Sequence, residues 1–457
     1  MDVNVDADLQ LYVDPHALRL YDTEWGRECV HLVQNFFATV LDAVRAGDET
    51  RGLNLLGQLR EPNETRLGMS QHRPRGRGLG PNSAVAVWAA FCNSEAARTG
   101  LLDDLEDTLL MIEGIGKDIV SDITTNVIRE PLIRYTQTAC ELYGIPLVED
   151  VASGALWNPA TEGWTQGFVR LPKVGDSKLL LIPKAIVRVF MDYDVAEYYR
   201  HHVLTYLADQ EIRSESSLMH LLRDGSPRVY KTELIERYGS GKTAAIEITL
   251  QHPEILDGYR SHKREIPSPP LTHGQIAEVF GDQSPDWDRM LERVVQIPPG
   301  NEFATEYHRA VQELLTALFY PWLANPIKES EIHEGRKRID ILYSNLARTG
   351  FFHWLGLHYG CPTVPVECKN YAADPQNEAL DQLSGRFGHA RGWVGVLACR
   401  TIEDKERMVR RCRDTALDKR GFILALDDED LKTLVELRKE SDDAMLSELR
   451  RRFDRLT

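Results

Sequence analysis

The chain has 457 residues, 42% of them hydrophobic and 27% charged, with a formal net charge of −16. That length exceeds what one hydrophobic core organises, so two or three domains are expected, and the composition excludes a disordered or membrane-embedded chain. The net charge argues against a protein that coats nucleic acid by bulk attraction.

The acidic opening "MDVNVDADLQ" lacks the basic then apolar pattern of a secretory signal, and no apolar run approaches bilayer-spanning length. A cytoplasmic location with no membrane partner is therefore expected. Seven scattered cysteines (29, 92, 140, 361, 368, 399, 412), mostly in apolar surroundings, suit reduced, buried thiols, and none forms a C-x-x-C pair. The first 262 residues read as a mainly helical domain. Residues 28–47 and 123–144 carry apolar residues at helical spacing, and "SKLLLIPKAIVRVF" (177–190) is the best strand candidate there.

Two clusters in this region invite a site. In "GIGKDIVSDITTN" (114–126), Asp118 and Asp122 stand one helical turn apart; they read as helix-start acids, or else as a metal or partner site. "YGSGKTAAIE" (238–247) contains Gly-Lys-Thr, the end of a phosphate-binding loop, but Glu236 stands where the loop's first glycine belongs. The glycines read instead as ending one helix, with Ser240 beginning the next.

Residues 263–300 are rich in breakers, "KREIPSPPLTHG" and "QIPPGN", around one short helical stretch, "SPDWDRMLERVVQ", and read as a linker. Residues 301–457 hold 24 Lys and Arg against 26 Asp and Glu, so the acidity lies mostly before them. Local clusters such as "RMVRRCR" (407–413) and "GRKR" (335–338) therefore present either a basic face to phosphate or a solvated surface.

From residue 301 an amphipathic helix puts Val311, Leu314, Leu315, Leu318 and Phe319 on its core side. An extended stretch, a turn at Gly335 and a strand follow, with Asp340 set between Ile339 and Ile341 against the grain of its neighbours. After a helical connector comes the strand "TVPVECKNY". In it Glu367 and Lys369 share one face while Val366 and Cys368 share the other. On these residues alone the pair reads as a surface ion pair worth little to stability. Helix "NEALDQLSGRFGHA", strand "GWVGVLACR", helix "IEDKERMVRRCRDTAL", strand "GFILALD" and helix "DEDLKTLVELRK" complete the pattern. The expectation is an α/β domain, a mixed sheet with helices on both faces.

An acidic residue on one strand and Glu-x-Lys at the end of the next, inside an α-β-β-β-α-β unit, resembles the PD-(D/E)XK nuclease superfamily. The elements "ECKNY" and "DQLSGR" look most like its Mrr-like branch. The resemblance covers about residues 301–437 and implies a restriction-endonuclease-like fold. Ile339 replaces the usual proline before Asp340, and 26 residues lie between Asp340 and Glu367, longer than a simple hairpin. By the resemblance Asp340 and Glu367 hold Mg²⁺, for which Mn²⁺ substitutes, with the Cys368 carbonyl a further ligand. Lys369 positions or helps deprotonate the attacking water, and Gln382 lies beside the lysine. A glutamate from the first helix often joins such sites; Glu306 is the choice, with His308 and Glu313 as neighbouring candidates. The resemblance implies a DNA endonuclease of a bacterial restriction or antiviral defence system. The alternatives are an RNA-directed nuclease and an inactive nucleic-acid-binding module. A homo-oligomer is expected, and the N-terminal domain suits sensing, oligomerisation, autoinhibition or the binding of a protein partner.

Overall fold

The computed structural model describes residues 11–21, 23–67, 81–266, 268–280, 285–332 and 337–457. The chain divides into two compact units, Met1–Pro270 and Leu271–Thr457.

The first unit is mainly helical. Its longest helix, Glu24–Ala46, starts where Thr23 accepts a hydrogen bond from the Gly26 N–H and stops at Gly47, whose φ of 67° suits a residue without a side chain. Leu32, Val33, Phe36, Phe37 and Val40 line its buried face. The helical stretch expected at 123–144 is divided between Lys117–Val127 and Arg129–Tyr143. The division precedes Pro131, which a first helical turn tolerates and a helix interior does not. The strand expected at 177–190 is broken up: only Ser177–Lys178 and Val187–Arg188 are extended and paired, and Lys184–Ile186 forms a 3₁₀ turn. The reason is where the backbone bonds go. The N–H of Leu180 donates to the Glu64 carbonyl, that of Leu181 to the Thr136 hydroxyl, and Pro183 has none to give.

In Gly-Lys-Thr the glycine opens helix Gly241–Gln251 immediately after helix Lys231–Tyr238. Lys242 donates to the Ile115 carbonyl and Thr243 to Glu113, so both side chains serve packing within the unit. A buried ionic cluster was not legible beforehand: Arg260 donates to Asp107 at 2.5 Å, and His16 pairs with Asp192 at 2.7 Å.

Asp118 lies in the first turn of Lys117–Val127. Asp122, a turn further in, is pushed up to about 7 by burial, and then by the charges of Glu61 and Asp118. Its carboxyl ionises more readily in the unfolded chain, so the folded state loses stability as pH rises from about 4 to about 7. Asp122→Asn should therefore match the parent's melting temperature near pH 4 and exceed it at pH 8. Equal melting temperatures at both pH values would show the carboxyl to be unstrained.

The second unit runs α1 (His273–Phe280), α2 (Trp287–Gln296), α3 (Ala304–Phe319), β1 (Leu323–Ile332), β2 (Lys337–Asn345), α4 (Gly350–Tyr359), β3 (Thr363–Lys369), α5 (Asn377–Ser384), β4 (Val394–Cys399), α6 (Lys405–Leu417), β5 (Phe422–Leu426), α7 (Asp428–Glu440) and α8 (Asp442–Asp454). The stretch read as a linker thus carries α1 and α2, and Leu291 and Val294 of α2 enter this unit's core. The turn expected at Gly335 lies outside the described residues, as do residues 335 and 336 of the basic cluster there.

The five strands form one mixed sheet in the order β1-β2-β3-β4-β5, antiparallel through β3 and parallel from β3 to β5. Every residue of β4 is buried, which requires cover on both faces and explains its unbroken apolar sequence. Val311, Leu314, Leu315, Leu318 and Phe319 of α3 are all fully buried, on the side their spacing indicated. The long β2–β3 connection is α4, and Asn345 closes its base by donating to the carbonyls of Phe352 and Cys361. Beyond the resemblance, α8 buries Met445, Leu446, Leu449 and Phe453, the last against Phe351, Trp354, Tyr359 and Phe422.

Candidate active site at the β2–β3 divergence

β2 and β3 pair from Ser344↔Thr363 to Ile341↔Val366, and there the ladder stops. Asp340 and Glu367 are the next residue on each strand. β3 remains paired with β4 as far as Lys369↔Cys399, so only its β2 side opens. There the Cys368 N–H donates to the Asp340 carboxylate, Oδ2, at 2.8 Å in place of a ladder bond. The alternation that buries Ile339, Ile341 and Tyr343 turns Asp340 to the other face. The aspartate that contradicted its apolar neighbours is thus held where the strands part.

Glu367 is 1% exposed. Lys369 Nζ donates to its Oε1 at 2.9 Å and to Gln382 Oε1, on α5, at 2.9 Å. Among the described residues, Glu367 Oε2 is buried without a hydrogen-bond partner. Burial, followed by the neighbouring Asp340 charge, raises the Glu367 carboxyl above its ordinary range, against the pull of Lys369 and Arg386. Burial draws the Lys369 ammonium down, but Glu367, together with Tyr371 and Asp340, offsets it and the net shift is upward. A surface pair this is not. Removing one member of so buried a pair leaves an uncompensated charge, where an exposed pair contributes almost nothing.

The structure brings Asp340, Glu367, Lys369 and Gln382 together. Cys368 contributes only its backbone, because its thiol is buried in the core with Val366. Glu306 is not part of the group: it is exposed, and its side chain makes no hydrogen bond or ion pair among the described residues. Glu313 pairs instead with Arg293 at 2.6 Å. Of the three candidates on α3 it is His308 that approaches the point where the strands part, its Nε2 lying 3.9 Å from Asp340 Oδ2. Two positions on a helix differ by about 200°, so Glu306 and His308 cannot serve the same side. Burial lowers the His308 ring's affinity for a proton, a tendency Asp340 partly offsets.

Two further residues escaped the sequence reading. Arg386, nearly buried just after α5, lends positive charge to Glu367, and among the described residues its Nε is without a hydrogen-bond partner. Asn370 donates to the carbonyls of Pro298 and Gly300 and accepts from the Gly300 N–H through its own carbonyl. It ties the segment entering α3 to the residue after Lys369. Only the glycines around Arg386 and the polar residue ending "ECKN" hinted at either. In the basic run, Arg407 pairs with Asp374 and Arg411 donates to the Pro375 carbonyl, while Met408 and Cys412 are buried.

Among the described residues no three His, Cys, Asp or Glu side chains are already gathered as a metal cluster. What is present fits one hard cation: two carboxylates from adjacent strands, one with a buried oxygen that lacks a partner among the described residues. No helix among the described residues is long and apolar enough to cross a membrane.

A family model described as a domain of unknown function, DUF8370, matches residues 1–193, inside the first unit. No curated protein and no solved structure matches the chain.

Proposed function

We propose that the chain is a metal-dependent nuclease whose second unit is a restriction-endonuclease-like module of the PD-(D/E)XK superfamily, and that it cleaves DNA. The observation that carries this reading is Glu367: a carboxylate 1% exposed, with one oxygen on Lys369 and the other lacking a partner among the described residues, beside Asp340. A buried charge of this kind costs stability unless something binds it.

Asp340 and Glu367 would hold Mg²⁺, or Mn²⁺ in its place, with the Cys368 carbonyl beside them. Such an ion supplies Lewis-acid stabilisation of phosphate oxygens and a more acidic water. Lys369 donates to both its partners, so its part is to orient the attacking water and balance charge at phosphorus. Gln382 keeps the ammonium aimed, and Arg386 adds positive charge on the same side. The large acidic first unit suits sensing, oligomerisation or autoinhibition. Its combination with such a module resembles bacterial restriction and anti-phage effectors.

The test is to incubate the full chain with plasmid, single-stranded DNA and total RNA, each with Mg²⁺, Mn²⁺ or EDTA. Plasmid cut with either metal and intact in EDTA is the expected result. Cleavage confined to RNA moves the assignment to the RNA-directed alternative. Binding without cleavage of any substrate leaves only a nucleic-acid-binding module.

A further inference from the structure

We infer that Arg386 is a substrate-binding residue, whose guanidinium takes a backbone phosphate of the nucleic acid beside the bond cut at Asp340 and Glu367. The inference rests on the nuclease reading of that site and adds to it the group that holds the substrate.

An arginine stays charged at every working pH and carries five N–H donors with no acceptor. Buried without partners, such a group is costly. Arg386 is 9% exposed, its Nε is buried without a hydrogen-bond partner, and its guanidinium enters no ion pair among the described residues. Its neighbours differ. Arg391 Nε donates to the Arg386 carbonyl at 2.7 Å, and Arg420 binds both the Ser384 hydroxyl and the Asp381 carboxylate at 2.7 Å. The fold satisfies the cations around Arg386 and leaves this one open.

Its place is fixed by a closed loop. The Arg386 N–H donates to the Leu383 carbonyl, that of Phe387 to Ser384, and Gly388 and Gly392 exchange backbone bonds. The Phe387 ring then pins the loop to the sheet. It lies so close that a Cβ on Gly395 of β4 would stand 2.8 Å from it and one on Gly421 2.3 Å, so a side chain at either position would dislodge it. α5 sets Gln382 against Lys369, and the charge of Arg386 reaches Glu367, so the guanidinium belongs to the same site. The two charges do not close on each other: Glu367 Oε2 also lacks a partner among the described residues. The carboxylate suits a cation and the guanidinium an anion, and a nucleic-acid backbone is the anion the proposed reaction brings. A guanidinium fork matches two phosphate oxygens, and a backbone contact carries no sequence information.

The experiment measures binding of a fluorescein-labelled DNA duplex to the full chain by anisotropy across a range of salt, in EDTA and again in Ca²⁺. Arg386→Gln should bind about tenfold more weakly whatever the sequence, with the slope of log affinity against log salt smaller by about one. Arg386→Lys should keep the slope and recover part of the affinity. In a series of duplexes with one phosphate replaced by a neutral methylphosphonate, one position should weaken the parent and leave Arg386→Gln unaffected. The melting temperature of Arg386→Gln should not fall, because the guanidinium gives up no hydrogen bond. Parent affinity and slope in Arg386→Gln, a methylphosphonate series identical in parent and variant, or weaker binding with an unchanged slope and a lowered melting temperature, each overturns the role of Arg386 and leaves the nuclease reading standing. A parent chain that binds no duplex in either condition overturns the DNA-cleaving reading as well.

Discussion

Glu367→Gln will yield a folded chain that has lost metal-dependent cleavage. The amide keeps the shape of the carboxylate and an oxygen to accept from Lys369, so the β3 end should hold. It loses the charge a hard cation needs and ends the repulsion between Glu367 and Asp340. Cleavage of plasmid should fall by about a thousandfold, the equivalent of about 4 kcal/mol of lost transition-state stabilisation. The melting temperature reports the same loss without reference to activity. A ligand at a hundred times its Kd stabilises the parent by about 2.7 kcal/mol, and the variant should gain almost nothing from Mn²⁺. Asp340→Asn should behave alike, since its amide oxygen can still accept from the Cys368 N–H. Full cleavage by either variant would remove the nuclease assignment.

Lys369→Ala separates chemistry from binding. The lysine touches Glu367 and Gln382, and its ammonium has no lone pair to offer a metal. The variant should therefore still bind Mn²⁺ and nucleic acid while losing most of its turnover, about a hundredfold or more. Stability should respond as well. Without metal, Glu367 is left 1% exposed with no cation beside Oε1, a situation that costs about 3–5 kcal/mol in comparable buried pairs. Mn²⁺ should restore much of that stability, because the ion compensates the same carboxylate. Lys369→Gln, which keeps two N–H donors on a shorter side chain, should lose turnover with a smaller fall in melting temperature. A Lys369→Ala chain that cleaves like the parent would show that the lysine serves the fold alone.

Much of the second unit was legible because its signals are local. Each element from α3 to α7 had its period or its apolar run in the sequence, and Asp340 stood out as a charge inside one such run. Position 308 was not settled in the same way. Glu306, His308 and Glu313 all lie on one helix, and which of them meets the strands depends on how α3 is rotated. That rotation is set by the burial of Tyr307, Val311 and Leu314 in the core, a property of the packed unit. Residues 177–190 failed for a related reason. Their apolar content promised a strand, but the backbone donors of Leu180 and Leu181 found partners at Glu64 and Thr136, more than forty positions away.

By itself, then, the sequence determined the order of elements after residue 301 and the face shared by Glu367 and Lys369, because a strand's alternation is a property of the strand alone. It also determined that Gly241 and Lys242 lie at the start of a helix, because the glycines that interrupt helices act on their own backbone. The tertiary structure alone decided that the β2–β3 ladder ends one residue short of Asp340 and Glu367. It also decided that the Glu367–Lys369 ion pair is buried, that His308 and Arg386 lie beside these residues, and that Asp122 sits where a charge is costly. Each of these is an environment assembled from elements far apart in the chain, and burial, divergence of strands and helix rotation exist only once those elements pack.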